Sequence, residues 1–264
     1  MRKLLLLVLG VSLLSAETRQ ERGKRVVDEA LAELGGDRFL AVKNRVEAGR
    51  VYSFYREELA GLAVAKIYTR YVSLPEKPKP EFIAVQERQV FGKDERSAIL
   101  FTGEQGYEIT FRGARPLRDE VVERFKMSTV LDVFYILRQR MGETGLIIES
   151  QGSDIYLNQP VEIVDITDSD NRVVTVYFHR STKLPIRQVF YRRDAKTRDR
   201  IEEDTEYGKY RDVGGGVLWP YYMLRKRDGE RVYQIFSETV SINQELSENL
   251  FTLPARIKIL KKPG

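Results

Sequence analysis

The sequence predicts a mostly β fold of the α+β kind: a curled antiparallel sheet of about ten to eleven strands that forms an incomplete β-barrel, with helices covering its concave face. Three observations predict it. From residue 173 to 254, apolar and aromatic stretches at 173–180, 184–193, 204–212, 217–227 and 230–242 follow one another with only short turns between them. Only two regions, 21–43 and 121–141, carry apolar residues at helical spacing, too few to supply the crossovers of a parallel sheet. Several strands carry large residues on both faces, which a flat sheet with one solvated face does not explain. Curling such a sheet around the helices buries its inner face and leaves an apolar hollow between the two layers.

Taken in order, the chain opens with a signal peptide over residues 1–16. Met1-Arg2-Lys3 precedes an apolar run over 4–14, interrupted by Gly10 and Ser12, and Ser15-Ala16 precede a charged stretch from Glu17. An apolar run of that length cannot cross the ~30 Å of hydrocarbon that a membrane anchor must span. Residues 17–264 then form one domain, a length that a single strand-rich core can serve. The chain has no cysteine, so it carries no disulfide, no thiolate metal site and no lipid-bearing amino-terminal cysteine. Loss of Arg2 and Lys3 lowers the net charge from +5 to +3. The remaining cations are interleaved with carboxylates, as in 192–200, which reads as a solvated loop and argues against a nucleic-acid partner.

Val27, Ala30, Leu31 and Leu34 give 21–34 an apolar stripe, and Gly35-Gly36 end it as a glycine carboxyl cap. A short helical piece over 37–43 follows, with Asp37 expected as its N-cap. Strands are expected at 50–57, 62–72 and 82–91, with Gly61 at the first turn and the Pro-Lys run 74–80 as a surface loop. A hairpin over 97–102 and 107–112 turns at 103–106. Helical spacing returns with Val121, Val122 and Phe125, then Val130, Phe134, Leu137 and Met141, as two helices or one broken near Met127-Ser128. Strands at 146–149, 154–157 and 160–166 lead through a turn at 168–171 into the meander. Within it, Asp228-Gly229 suits a two-residue hairpin and 213–216 a glycine-rich turn, while Pro185 and Pro220 fall among strand-opening residues.

Catalytic and metal chemistry finds little support. The single histidine, His179, sits on a strand with no cysteine or second histidine to complete a zinc or copper site, and no Gly-x-Ser-x-Gly elbow exists. The 168–171 stretch departs from a calcium loop at Arg172, Val173 and Lys183, and reads as a hairpin turn. Glu202-Glu203-Asp204 follows Arg198 and Arg200 and reads as a solvated, self-neutralising hairpin tip. No enzyme activity, metal or cofactor is implied.

The aromatic residues carry the functional information. They either pack a core on one side and lie between Arg and Lys stems on the other, or they line a lipid-sized cavity on the concave face. Strand periodicity points Val174, Val176 and Phe178 inward, with Leu184, Ile186 and Phe190 matching them and Val232, Phe236 and Val240 near the end. The candidate lining residues are therefore Val174, Val176, Phe178, Ile186, Phe190, Trp219 and Phe236, with Phe134 and Leu137 from the helical stripe. That stripe is either docked core or a lid hinged near Met127-Ser128 and at Gly142 and Gly145.

The helix ending in Leu34-Gly35-Gly36, the openings Leu184-Pro185 and Trp219-Pro220, the approach Tyr210-Arg211-Asp212-Val213-Gly214-Gly215 and the ending Val240-Ser241-Ile242-Asn243 with Leu250-Phe251-Thr252-Leu253-Pro254 together resemble the periplasmic lipoprotein-sorting carrier (LolA-like) superfamily. The resemblance covers most of the mature chain and is strongest after Val161. It implies an incomplete barrel closed by helices, whose hydrophobic cavity takes acyl chains of lipids or lipoproteins in the periplasm, with no cofactor. Partner proteins of the inner or outer membrane are a further implication. The alternative within the same fold is a non-transporting envelope sensor or interaction module that fills the cavity with its own side chains.

Overall fold

The computed structural model describes residues 17–74, 82–92, 95, 97–194 and 197–263; the signal peptide read over 1–16 and most of the Pro-Lys run lie outside the described residues. Two meanders make the sheet. The first comprises β1 (Asn44–Tyr55), β2 (Glu58–Tyr71), β3 (Val85–Phe91), β4 (Ser97–Phe101), β5 (Gly106–Thr110) and β6 (Gly113–Pro116). The second comprises β7 (Ile147–Tyr156), β8 (Gln159–Thr167), β9 (Val173–His179), β10 (Pro185–Arg193), β11 (Arg200–Asp212), β12 (Leu218–Arg227) and β13 (Glu230–Ile242). Each strand pairs with its sequence neighbour, and β1 pairs antiparallel with β13 to join the meanders into one 13-stranded sheet. β6 and β7 are left at opposite edges, so the sheet is curled and open.

This topology explains where the helices go. The segment joining β6 to β7 must travel from one edge to the other, and it does so across the concave face as α3 (Asp119–Val130) and α4 (Val133–Tyr135), which runs on into a π-helical turn (Ile136–Arg140). The break falls at Leu131-Asp132, not near Met127-Ser128: the Asp132 carboxylate accepts the Tyr135 N–H at 3.1 Å and starts a new helix.

At the amino end, α1 (Arg19–Glu33) begins with a capping box between Thr18 and Glu21, two residues earlier than the apolar stripe alone indicates. It ends in a Schellman motif, with Gly36 and Gly35 donating to the Leu31 and Ala32 carbonyls. α2 (Asp37–Leu40) has Asp37 in its first turn and Gly36 at the cap, one residue earlier than expected.

Strand boundaries moved where turns use residues other than glycine. The β1–β2 turn is Arg56-Glu57 at φ 50° and 63°, so Gly61 lies inside β2 opposite Ser53. The expected strands at 146–149 and 154–157 are one strand, β7, with a bulge between Ser150 and Gly152, and it turns into β8 at Leu157-Asn158, again with positive φ. β6 was not expected; its Ala114 pairs with the carboxyl-terminal segment, donating to the Lys258 carbonyl and accepting from Leu260 N–H. Asp228-Gly229 forms the expected two-residue turn with both φ values positive.

The core has distinct compartments. The largest lies on the concave side and joins α1, α4 and the inner faces of β8–β12. On the convex side, Phe251 from the carboxyl-terminal segment packs with Tyr68, Val90, Ala98, Leu100 and Ile109 over β2–β5.

Candidate functional site

The concave face is unevenly filled. Under α1 and α4, Val164, Val174, Val176 and Phe178 are almost wholly buried, as is Leu137 of the π-helical turn, in one continuous apolar core. α1 reaches this contact because Gly23 lies directly on β7, where an added Cβ would sit 2.8 Å from the Ser150 nitrogen. Further along, between α3 and the inner faces of β1–β4 and β10–β13, a cavity of about 490 Å³ remains. That lies within the ~300–1,000 Å³ usual for ligand sites.

The cavity's apolar surface comes from Ile67, Val85, Ile99 and Phe101 on one wall, Phe190, Trp219, Met223, Val232 and Ile235 on the other, and Val121, Phe125, Met127 and Phe134 from the helices. Phe101 and Phe125 stack at 3.7 Å, tying α3 to β4. Phe134 lies edge-on to Tyr207 at 5.1 Å and tilted on Trp219 at 4.6 Å, at the boundary between filled and hollow regions. α4 is fixed there by polar contacts: buried Gln188 accepts the Val133 N–H at 2.8 Å, and Arg138 donates to the Val42 carbonyl at 2.9 Å. Arg140 donates to the Val130 carbonyl at 2.6 Å and pairs with Asp168 at 3.0 Å. The stripe residues Phe134 and Leu137 are thus docked core, whereas α3 buries fully only Val122 and Val130.

Charged groups also face the hollow. Arg45 is largely shielded from solvent and lies 4.0 Å from the Trp219 ring centre and 3.4 Å from Glu47. Burial works against its charge, but Tyr71, Glu47, Glu87 and Asp132 outweigh that and strengthen its hold on the proton. Burial raises the Asp132 carboxyl pKa, more than the Tyr135 N–H, the Arg225 charge and the Tyr207 hydroxyl lower it. The buried indole N–H of Trp219 and the Arg45 Nε have no hydrogen-bond partner among the described residues. Buried donors without partners are uncommon in folded proteins.

Of the residues expected to line a cavity, Phe134, Phe190 and Trp219 border this one. Val174, Val176, Phe178 and Leu137 point to the concave side but lie in the filled region. Ile186 and Phe236 lie on neither surface, and the reason is the same for both. Ile186 is the extra residue of a bulge between Pro185 and Arg187, which leaves Gln188 and Phe190 inward. β13 is shifted by two bulges, one where β12 pairs between Arg225 and Lys226 and one where β1 pairs between Ala48 and Gly49. Phe236 therefore stands opposite Tyr222, its ring tilted on Tyr222 and edge-on to Tyr52 on the convex face, while Ile235 turns inward.

Other readings change as well. Glu203 and Asp204 are not a solvated tip: they lie within β11, Asp204 is buried in a two-point pair with Arg187, and Glu203 faces the cavity with Arg192 and Arg227. His179 Nδ1 accepts the Ser181 and Thr182 N–H groups and so closes the β9–β10 turn. Asp168 organises the β8–β9 turn, accepting from Asp170 and Arg172 N–H. The charged lining had one legible trace, since Arg192, Glu203 and Arg225 share strand faces with apolar residues.

The sheet, its open edges and the helices laid across its hollow define an incomplete-barrel fold, and comparison with solved structures shows the same fold. An outer membrane lipoprotein-sorting protein domain from Vibrio parahaemolyticus superposes with a TM-score of 0.54 at 11% identity, covering 88% of this chain and 97% of its own. A DUF1329 family protein from Desulfovibrio piger gives 0.55 at 12% identity, with 87% and 97% covered. A LolA superfamily protein from Nitrosomonas europaea gives 0.50 at 11% identity over the same shares. No protein-family model and no curated protein sequence matches this chain.

Proposed function

We propose that this protein is a soluble carrier or binder of lipid or lipoprotein acyl chains, held in the hollow between α3 and the curled sheet. The observation that carries the reading is the cavity of about 490 Å³ with apolar surface from both walls and the helices. Its long dimension suits a chain. Trp219 and Arg227, both bordering it, are eight residues apart on one face of β12, roughly 26 Å of strand rise. One leaflet of a bilayer is about 15 Å of hydrocarbon. Each buried methylene contributes about 0.8 kcal/mol, so a hollow this size offsets the cost of removing a chain from a membrane.

The amino-terminal signal peptide read in the sequence supports a periplasmic location, and the fold's likeness to a lipoprotein-sorting domain supports a role in traffic between membranes, with membrane proteins as donors or acceptors. Among the described residues no helix is long and apolar enough to cross a membrane. Binding is the role the hollow supports: apolar surface from both walls and the helices faces it, and the single histidine is engaged in a turn elsewhere. The sensor or interaction reading needs a cavity filled by the protein's own side chains, a condition met under α1 but not under α3. Native mass spectrometry of protein purified from its own envelope tests the proposal. Co-purifying lipid of defined mass is the expected result; a protein that arrives empty and refuses added lipid contradicts it.

A further inference from the structure

Four guanidinium groups gather at one end of the hollow. Arg124 of α3, Arg192 of β10 and Arg225 and Arg227 of β12 all border the cavity, near the ends of their strands. One carboxylate, Glu203, lies among them and pairs with Arg192 at 2.8 Å and Arg227 at 3.2 Å. Arg124 and Arg225 make no hydrogen bond or ion pair with any described residue, and both are exposed enough for a ligand to reach. The other cavity carboxylates have hydrogen-bond or ion-pair partners elsewhere: Glu47 with Arg45 and Ser237, Glu87 with Thr69 and Gln89, Asp204 with Arg187, and Asp132, which also feels the Arg225 charge, with the Tyr135 N–H and the Tyr207 hydroxyl.

Holding like charges together against an apolar cavity wall has a cost, and it registers at Arg124, whose hold on its proton is weakened by burial and then by the Arg227 and Arg192 charges, with Glu203 only partly opposing. A structural role would be served by two ion pairs. Two guanidiniums without a hydrogen-bonded counterion among the described residues, beside a pair that already shares its carboxylate, make an anion seat, because guanidinium forks match phosphate and carboxylate oxygens in pairs. Trp219, Phe134 and Phe190 lie on the cavity's apolar walls, so the charged and apolar parts of one cavity match an amphiphile's two parts.

We propose that Arg124 and Arg225, backed by Arg192 and Arg227, bind the anionic head group, a phosphate or carboxylate, of an amphiphile whose chain occupies the hollow. This inference rests on the carrier reading and adds the ligand's charge to it. The test uses the full-length mature protein freed of lipid and displacement of a hydrophobic dye by three probes: dodecyl phosphate, dodecanol and inorganic phosphate. Dodecyl phosphate should displace the dye more strongly than dodecanol, and added salt should erode only that advantage. The double variant Arg124→Gln/Arg225→Gln, with unchanged circular dichroism, should weaken dodecyl phosphate about tenfold or more. It should leave dodecanol unchanged, while Arg50→Gln on the exposed Arg50–Glu238 pair changes neither.

Equal binding of the two dodecyl probes, or a double variant that binds dodecyl phosphate as wild type does, overturns the head-group inference while leaving the carrier reading intact. Failure of both dodecyl probes to bind wild type overturns the inference together with the carrier reading. Inorganic phosphate binding as tightly as dodecyl phosphate identifies a free-anion site and contradicts the coupling of head group to chain.

Discussion

One curled sheet behaves differently under its two helical covers. Under α1, β7–β10 present Val164, Val174, Val176 and Phe178, all fully buried, and Gly23 lets the helix backbone touch the sheet. Under α3, the inner faces of β1–β4 and β10–β13 carry a mixture of Ile67, Phe101, Met223 and Ile235 with Arg45, Glu87, Arg192 and Glu203, and the helix stands off. The difference teaches that the hollow is a matter of helix approach more than of sheet curvature. Small residues and β-branched side chains make one side a close-packed core, whereas long aromatic and charged side chains on the other hold the helix away.

The largest expected effect probes that approach. Gly23→Val places methyl groups against the Ser150 nitrogen and the Glu149 carbonyl carbon, at 2.8 and 2.9 Å from the Cβ alone, both backbone atoms that cannot turn aside. It should cost roughly 3 kcal/mol or more in urea unfolding. Phe134→Glu buries a charge among Tyr207, Trp219 and the filled core, and should leave no cooperative melt by circular dichroism. A folded variant with raised dye uptake would show that α4, too, is a movable cover.

Next comes a matched pair of truncations. Leu137→Ala, from a fully buried site, should cost about 3–4 kcal/mol because it opens a new void. Met223→Ala, at a wall that already borders empty space, should cost roughly 1 kcal/mol because no new cavity forms. Equal costs would mean that the hollow is closed in solution.

The legible and illegible parts of the fold divide along the same lines. Helix and strand types, the meander and the concave placement of the helices followed from periodicity and from two glycine-rich or Asp-Gly turns, since those signals are local. Face assignments failed where a bulge inserts one residue: period-two reading carries Phe236 inward and Ile186 with it, and nothing in Pro185-Ile186-Arg187 or Ala48-Gly49 announces the slip. The turn at Arg56-Glu57 adopts positive φ without glycine, so the first hairpin was placed at Gly61 instead, whereas the β7–β8 turn fell within a residue of its expected place. Arg192 read as part of a solvated loop because the groups it meets at the hollow's end, on α3, β11 and β12, are distant in sequence.

A smaller effect separates two carboxylates flanking α4 and its π-helical turn. Burial pushes the Asp168 pKa up, but the Arg172 N–H and the Arg140 guanidinium outweigh it and hold the group below its usual range. A depressed folded pKa gives stability that is present above the unfolded value of about 3.9 and is lost as pH falls through the folded one. Asp132 is raised, so its contribution is present below about 3.9 and lost as pH rises. Asp168→Asn should therefore destabilise by about 2 kcal/mol at neutral pH and by much less near pH 3. Asp132→Asn should gain relative to wild type at neutral pH and lose that gain near pH 3. Urea midpoints at the two pH values measure both.

The smallest expected change in stability is at the standing-off helix. Phe125→Ser removes the stack on Phe101 and should cost about 1 kcal/mol, yet raise uptake of a hydrophobic dye. A larger loss without dye uptake would assign α3 to the core.

The most direct measurement of the central claim uses the chain's single tryptophan. Trp219 borders the hollow, so an acyl chain bearing bromine atoms should quench its fluorescence on entry. The account predicts saturable quenching by a brominated fatty acid, reversed by the unbrominated acid and reduced in Thr205→Phe and Ile235→Phe, which fill the hollow. Quenching that never saturates, or that persists unchanged in the filled variants, would contradict it.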